Sequence, residues 1–445
     1  MTVSPATGEG ERTIRPGFGE AVRAFARIGL LSFGGPAGQI ALMHRVLVEE
    51  KRWLDEARFL HALNYCMLLP GPEAMQLATY AGWLTHGVRG GLAAGLLFVA
   101  PGAAVLVALS ALYVAWGDLP LVEGLLFGLK AAVLAIVLEA LVKVSRRALT
   151  GPAMAAVALA AFVAIALLAV PFPLIILAAA LAGAALHRLR GGATGGPEAT
   201  ISARDGAGGP GRLVRNAAPW LALWFVPLGG LLAALGPGNV YADAAAFFSK
   251  MAVVTFGGAY AVLAYVAQQA VEVYGWLQPD EMLTGLGLAE TTPGPLILVL
   301  VFVGFLGGAR LSGFEPLTGG LAGALVTLWF TFVPCFLWIF AGAPYVERVR
   351  GVRWLAAALA AVTAAVVGVI ANLALWFAVH VLFAEVVEGR IGPLRFDRPV
   401  PTTLDWTALG LAVLAGVALI GLRLPLLAVL GGAAAAGIAL RFAGF

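Results

Sequence analysis

Three short motifs recur in this chain at one constant spacing of 223 positions. They are FGG at 33–35 and 256–258, WL at 53–54 and 276–277, and PGP at 70–72 and 293–295. Residues 33–72 and 256–295 share 13 identities in 40 without a gap. A repeat this regular predicts that the chain is built from two copies of one structural unit.

The segments around these motifs are too apolar for a water-soluble fold. Hydrophobic residues make up 61% of the chain, charged residues only 12%, and the mean hydropathy is +0.94. A soluble domain carries about 25% charged residues, so this chain cannot cover its outside with polar groups. Because lipid leaves helices and closed barrels as the only spanning structures, the sequence predicts an all-α polytopic membrane protein.

Charge placement predicts that the two copies face opposite sides of the membrane. Residues 45–58 carry four Lys or Arg, whereas the equivalent residues 268–281 carry none and hold three acidic residues. Since Lys and Arg accumulate in cytoplasmic loops, we expect a cytoplasmic N-terminus and inverted-topology repeats. The predicted organisation is a disordered polar tail at 1–20, a first repeat at 21–187, a flexible cytoplasmic linker at 188–215, an extra transmembrane helix at 216–240 and a second repeat at 241–445.

The remaining composition excludes several function classes. Two cysteines and five histidines show no zinc-ligand spacing, so no metal or cofactor is expected. The formal charge of +4 is small for 445 residues and indicates topology rather than a nucleic-acid partner. The polar first residues do not resemble a removed signal peptide.

The PGP motifs predict broken helices inside the membrane. Proline cannot continue a helix, and the apolar flanks at 57–69 and 73–86 are each shorter than the roughly 20 residues needed to span. Such a turn must be buried in protein or line a watery cavity, so we expect re-entrant hairpins. The helix N-termini that follow, at 73–76 and 296–298, present free N–H groups and a positive dipole end to an oxyanion dianion.

These breaks define the predicted substrate site. Its expected residues are Ser32, Gly34, Gly35, Pro36, Gln39, Gly71, Pro72, Glu73, Gln76, Thr255, Gly257, Gly258, Thr291, Thr292 and Gly294. Ser32 and Thr255 are expected to add donors beside the glycine pairs. The alternative is that the glycine pairs only allow close helix packing.

Two carboxylates next to the breaks are candidates for proton coupling. Glu73 follows one PGP motif and Glu290 precedes the other, so they are not at equivalent positions. A carboxylate at this depth can carry a proton. The alternative is that each caps a helix N-terminus or pairs with a cation.

Several cations are possible charge partners of the substrate. Lys130 lies in the middle of an apolar span and serves either as a counter-charge or in an ion pair with Glu73, Glu290 or Glu139. Glu139 and Lys143 are spaced to pair with each other. The cluster of Arg27, His44, Arg45, Lys51 and Arg52 is either a topology signal or an entry funnel for anions. Trp53 and Trp276 are expected to anchor at the membrane interface.

With these motifs the chain resembles the chromate ion transporter family in its long two-domain form. The matching segments are FGGP at 33–36, the cationic run before Trp53, LPGPEA at 69–74, FGG at 256–258 and AETTPGP at 289–295. The resemblance implies chromate export across the bacterial inner membrane, driven by the proton motive force as an antiporter, and hence chromate resistance. It also implies sulfate as a competitor.

Other functions stay open at this point. One is a carrier or channel for sulfate or another oxyanion. Another is an intramembrane enzyme, which is disfavoured because Glu73 and Glu290 come from different repeats and have no adjacent histidine. A homodimer is the default expectation for the assembly.

Overall fold

The computed structural model describes residues 16–33, 35–189, 210–256, 259–343, 353–392 and 394–444. Within these ranges it contains sixteen α-helices, six of which are long and apolar enough to cross a membrane. The all-α polytopic class is therefore confirmed. Gly34, Gly257 and Gly258 lie outside the described residues, as do most of the predicted tail and linker.

The helices of the first half end and begin where the sequence breaks predict. They are α1 (Phe18–Leu31), α2 (Gly35–His44), α3 (Glu56–Cys66), α4 (Glu73–Trp116), α5 (Pro120–Ala148), α6 (Pro152–Ala166) and α7 (Phe172–Leu189). At 70–72 the two prolines lack backbone N–H donors, and Gly71 has a non-helical φ of +117°. Helix α3 therefore cannot continue into α4. Pro72 instead caps α4 with an extended backbone.

The second half repeats this order and adds new elements. It contains α8 (Pro210–Leu235), α9 (Val240–Val254), α10 (Ala259–Ala267), α11 (Pro279–Thr291), α12 (Val299–Leu311), α13 (Pro316–Gly342), α14 (Arg353–Leu382), β1 (Val386–Ile391), β2 (Leu394–Pro399), α15 (Trp406–Gly416) and α16 (Leu426–Phe442). A 3₁₀ turn at Leu296–Leu298 leads into α12. Helix α8 begins inside the segment predicted as linker.

The helix pairs flanking each break fold back as hairpins. The rings of Tyr65 on α3 and Tyr80 on α4 lie 5.6 Å apart, whereas fifteen residues of straight helix would separate them by about 22 Å. At the open end of the α11–α12 hairpin, an ion pair joins Glu281 to Arg310. The α1–α2 pair closes in the same way, with Lys51 Nζ 2.8 Å from Glu20 Oε1.

Helix α4 itself consists of two arms. His86 and Gly87 have non-helical backbone angles, and the φ of Gly87 is +61°. A Cβ atom at Gly82 would lie 2.4 Å from the carbonyl oxygen of Gly90, so the arms 73–85 and 88–116 pack side by side at glycine distance. Only the second arm continues as a long apolar helix.

Two π-helices stand at equivalent positions and set the orientation of the repeated tryptophans. They span Arg45–Glu50 and Gln268–Val273, and each is followed by a tryptophan. The backbone N–H of that tryptophan donates to a carbonyl of the π-helix. Trp53 is 4% exposed and Trp276 2% exposed. The expectation that they anchor at the membrane interface is therefore wrong, because these backbone bonds turn both side chains into the core.

The two halves interleave. Helix α5 packs against α15 and α16 of the second half, while α14 packs against α6 and α7 of the first half. Glycines allow these contacts: a Cβ at Gly128 would lie 1.9 Å from the carbonyl oxygen of Ala433, and one at Gly368 would lie 2.0 Å from that of Ala158. Each half therefore completes its core with helices of the other.

A short β-hairpin separates α14 from α15 and was not expected from the sequence. β1 and β2 pair antiparallel in the register Val386↔Pro399 to Ile391↔Leu394. Gly392, with a φ of +61°, opens the turn. The first half passes from α5 to α6 through a few residues only.

Candidate functional site

The two PGP turns are held by backbone bonds that cross between the halves. The Gly71 N–H donates to the Thr255 carbonyl at 2.9 Å, and the Gly294 N–H donates to the Ser32 carbonyl at 2.8 Å. The two bonds are equivalent at the repeat spacing of 223. Each PGP turn therefore rests on the first helix break of the other half.

A cavity of about 20 Å³ lies between these turns. Its lining consists of Gln39 and four pairs of equivalent positions: Pro36 with Ala259, Pro72 with Pro295, Glu73 with Leu296, and Ala74 with Ile297. This volume holds about one water molecule. The cavity therefore lies where the two repeats meet.

Two helix N-termini line this cavity from opposite repeats. The first helical bond of α4 runs from the Gln76 N–H to Pro72, and the first bond of the other turn runs from the Leu298 N–H to Pro295. The amides that precede them, at 73–75 and 296–297, are first-turn groups outside the helical ladder. Together with the helix dipoles they make the cavity favourable for an anion.

The hydroxyl groups of the predicted site point elsewhere. Ser32 Oγ donates to the Ile28 carbonyl and Thr255 Oγ1 to the Met251 carbonyl, both at 2.6 Å. The hydroxyls of Thr291 and Thr292 likewise bond to carbonyls in the preceding turn of α11. The expected extra donors at Ser32 and Thr255 are therefore wrong for this structure, because a buried hydroxyl at a helix end is satisfied locally.

Two buried glutamines support the turns from the first half. Gln39 Nε2 donates to the Gly294 carbonyl at 2.6 Å, and Gln76 Nε2 donates to the Pro70 carbonyl at 2.7 Å. Within the described part of the chain, both Oε1 atoms are buried without a hydrogen-bond partner. A buried unsatisfied acceptor costs about 1–3 kcal/mol, so these amides mark a place where another group can bind.

Only part of the predicted substrate set lines the cavity. Pro36, Gln39, Pro72 and Glu73 do so, whereas Gly71, Gln76 and Gly294 shape the PGP turns behind it and Gly35 begins α2. Gly71 has a φ of +117° and Gly294 a φ of +96°, which only glycine adopts readily. Among the lining residues, Ala259 was not anticipated from the sequence, although the repeat spacing relates it to Pro36. Ala74, Leu296 and Ile297 fall within the helix N-termini predicted at 73–76 and 296–298.

The two candidate carboxylates occupy different places. Glu73 is half-buried and lines the cavity. Glu290 is 5% exposed, lies behind the wall, and accepts a 2.6 Å hydrogen bond from the hydroxyl of Tyr260. Tyr260 directly follows the lining residue Ala259, and this partner was not anticipated from the sequence.

The candidate cations lie away from the cavity. Lys130 Nζ is 2.9 Å from Asp280 Oδ2, so the expected pairing with Glu73, Glu290 or Glu139 is wrong. The long side chain of Lys130 points toward the N-terminal end of α5. There it meets Asp280, which lies in the first turn of α11. The predicted pair of Glu139 with Lys143 is confirmed, with a nitrogen–oxygen distance of 2.6 Å.

The basic cluster near the start of the chain is partly neutralised. Arg27 pairs with Glu50, and His44 contacts both Glu49 and Glu56. The hydrogen bond that the His44 ring donates to the Glu56 carboxylate raises the pKa of His44 above its ordinary 6.5. Arg45 is exposed. These acids weaken the attraction that a funnel of free cations would exert on an anion.

Comparison with protein families assigns both halves of the chain to one family. The family profile described as "Chromate transporter" matches this chain twice, over residues 19–184 and 242–438. The chain belongs to the chromate transporter family. It is accordingly a membrane transporter rather than an enzyme, and the profile matches each half of the chain once.

Three relatives illustrate the similarity. A chromate transport protein of Pseudomonas aeruginosa is 32% identical over 78% of this chain and 77% of its own length. The chromate transport protein of Cupriavidus metallidurans is 29% identical over 79% and 80%, respectively. A probable chromate transport protein of Synechococcus elongatus is 27% identical over 73% and 75%. No solved structure matches the chain.

Proposed function

We propose that this chromate transporter exports chromate across the bacterial inner membrane as a secondary carrier coupled to the proton motive force. The observation that carries the proposal is the pair of helix N-termini from equivalent positions that line one cavity. Chromate is a compact dianion, and two converging sets of backbone donors suit such a ligand without fixed cations. The names of the relatives support chromate as the substrate.

We further propose that the two repeats are inverted and that the cavity opens alternately to each side. The lining pairs and the crossed bonds of Gly71 and Gly294 support an approximate twofold relation between the halves. A cavity of about 20 Å³ is too small for a four-oxygen anion, so this state is closed around the site. Movement of one set of hairpins against the other would open it. The basic residues of the first half support a cytoplasmic N-terminus.

The membrane potential favours export of a dianion. Moving one charge through 100 mV is worth about 2.3 kcal/mol, so two negative charges leaving a negative interior gain about 4.6 kcal/mol. At about 1.4 kcal/mol per decade, this supports a gradient above about a thousandfold. Proton antiport through Glu73 and Glu290 would add to this driving force.

Sulfate is the expected competitor. It is also a tetrahedral dianion, and backbone N–H groups do not distinguish the central atom of such a ligand. Within the proposed site the discrimination must therefore come from size, which the opened cavity sets.

Chromate flux into everted membrane vesicles tests the proposal. Wild-type vesicles are expected to accumulate chromate, to do so faster with an imposed pH gradient, and to be slowed by sulfate. Glu290→Gln should lose the response to the pH gradient, because a neutral amide cannot exchange a proton. Glu315→Gln is the matched control, since Glu315 caps α13 at an exposed position.

Two results would contradict the proposal. Absence of chromate accumulation by wild-type vesicles would rule out chromate as the substrate. An unchanged gradient response in both Glu290→Gln and Glu73→Gln would rule out these two carboxylates as the coupling residues.

A further inference from the structure

Tyr260 and Glu290 form a partly buried polar contact next to the cavity. The Tyr260 hydroxyl donates to Glu290 Oε1 at 2.6 Å, and Glu290 is 5% exposed at the end of α11. Tyr260 is the residue after Ala259, which lines the cavity. Burying an ionised carboxylate is costly unless it is paired and hydrogen-bonded. Carboxylates within membrane-spanning proteins therefore commonly have a functional role.

The repeat does not require this contact. At the spacing of 223, the position of Tyr260 corresponds to Ala37 and that of Glu290 to Met67. The hairpins and the crossed backbone bonds form in both halves, although only the second half has the tyrosine and the carboxylate. The contact is therefore an addition to the shared architecture.

A graded row of polar groups leads from this contact toward the surface. Helix α5 packs beside α11, where a Cβ atom at Gly287 would lie 3.3 Å from Leu129 Cβ and from Val133 Cγ2. Glu139 lies further along α5, near enough to Glu290 for its charge to bear on that carboxylate. Glu139 and Lys143 pair at 2.6 Å, with side chains 23% and 67% exposed, respectively. Exposure thus rises from Glu290 through Glu139 to Lys143. One turn further, α5 ends in the basic pair Arg146 and Arg147.

We propose that Tyr260, Glu290 and Glu139 form a proton route between the cavity and the basic end of α5, with Lys143 at its exposed entrance. A proton taken up from solvent by the Glu139 carboxylate passes to the Glu290 carboxylate. Once Glu290 is protonated, the Tyr260 hydroxyl no longer has to donate to an ionised oxygen and is free to reorient. Tyr260 is thus a positioning residue for the coupling proton.

Other titratable groups on these helices are engaged elsewhere. Tyr113 on α4 and Arg310 on α12 both bond to Glu281, near the start of α11 and several turns from Glu290. In the described structure, Glu290 accepts its hydrogen bond from Tyr260, and Glu139 and Lys143 are the charged groups near it. The inference rests on the proposed proton-coupled transport of chromate.

Purified protein in liposomes containing a pH-sensitive dye tests the route by two readouts. One is chromate self-exchange without any gradient, which needs the anion site and its movement. The other is proton flux driven by a chromate gradient. Tyr260→Phe and Glu139→Gln are each expected to keep self-exchange within about twofold and to lower the proton flux by about tenfold or more. Tyr265→Phe, on the same helix and buried, is the control expected to match wild type in both readouts.

The outcomes separate this route from the transport proposal. Wild-type proton flux in both Tyr260→Phe and Glu139→Gln would overturn the route while leaving chromate transport intact. Equal loss of self-exchange and proton flux, in variants that retain the wild-type elution profile, would also overturn it, because these residues would then act on the anion. Absence of chromate self-exchange in wild type would instead contradict the proposed function.

Discussion

Substituting Gly71 by alanine tests whether the crossed turns hold the site. Gly71 has a φ of +117° and donates its N–H to Thr255 of the other half. An added Cβ would lie 2.9 Å from Gln76 Nε2 and 3.0 Å from Cys335 Sγ. The change therefore introduces both backbone strain and overpacking at the turn that precedes Pro72 and Glu73.

The expected cost follows from these two contributions. A non-glycine residue in a sparsely populated backbone region costs about 1–3 kcal/mol. Forcing a methyl group into a packed site costs about 1–3 kcal/mol more, although Gln76 can yield at the end of its side chain. The two contributions sum to about 2–6 kcal/mol. Even the lower value, taken up by moving the turn, would lower the ratio of intact to displaced turns by about 30-fold.

Gly275→Ala is the matched control. Gly275 also has a positive φ, +61°, but a Cβ there would meet no heavy atom within 4 Å. The equivalent position in the first half is Arg52, which adopts a φ of +51° with a full side chain. The control should cost about 1 kcal/mol, the lower end of the cost of a left-handed residue, and leave the cavity unchanged.

Chromate uptake by everted vesicles and the melting temperature of the purified protein are the measurements. We expect Gly71→Ala to lose about tenfold or more of the uptake and to melt at a lower temperature, with Gly275→Ala close to wild type. Wild-type uptake and melting temperature in Gly71→Ala would refute the role assigned to the crossed turns.

Two further predictions concern contacts near the ends of the hairpins. Arg310→Met should lower the free energy of unfolding by about 2–4 kcal/mol, because it leaves Glu281, 4% exposed, without its cation. Adding Glu281→Gln should restore part of that loss in a melting experiment, and a strictly additive double variant would contradict the pairing. Because the pKa of His44 is raised by its hydrogen bond to Glu56, the stability from protonated His44 should be complete below pH 6.5 and lost as pH rises through the raised pKa. Melting curves of wild type should show this loss and those of His44→Gln should not; identical pH profiles would contradict it.

The features that depend on local backbone chemistry could be predicted from the sequence. The PGP motifs combine two prolines with a glycine and interrupt the helices on either side, so the breaks at 70–72 and 293–295 were placed correctly. Single prolines do not have this effect here, since Pro101 and Pro334 lie inside α4 and α13. The repeat spacing also matched the two π-helices and the two sets of helix N-termini. These inferences need no knowledge of which helix packs against which.

The features that depend on competing partners could not be predicted. Ser32 and Thr255 were expected to face the substrate, but a carbonyl four residues earlier satisfies each hydroxyl. Lys130 pairs with the exposed carboxylate of Asp280 on α11, because its flexible side chain can reach beyond its own level in the membrane. The hydroxyl of Tyr260 found Glu290 thirty residues along the chain, and no periodic pattern connects them.

The β-hairpin was missed for a different reason. Its strands carry charged residues such as Glu388 and Arg398 within a mostly apolar chain, and Gly389 in the first strand is a residue that strands seldom favour. Apolar segments of helical length identified the helices, but this signal does not detect two strands of six residues each.

The interleaving of the halves has a consequence for biosynthesis. Helix α5 leaves the ribosome long before residues 426–442, yet the last helix covers a large part of its surface. Until the final turns are made, the glycine surface around Gly128 has only lipid or insertion machinery to contact. The contact between α5 and α16 therefore forms only after residues 426–442 have been made, and the two halves, supplied as separate polypeptides, would have to associate before either completes its core.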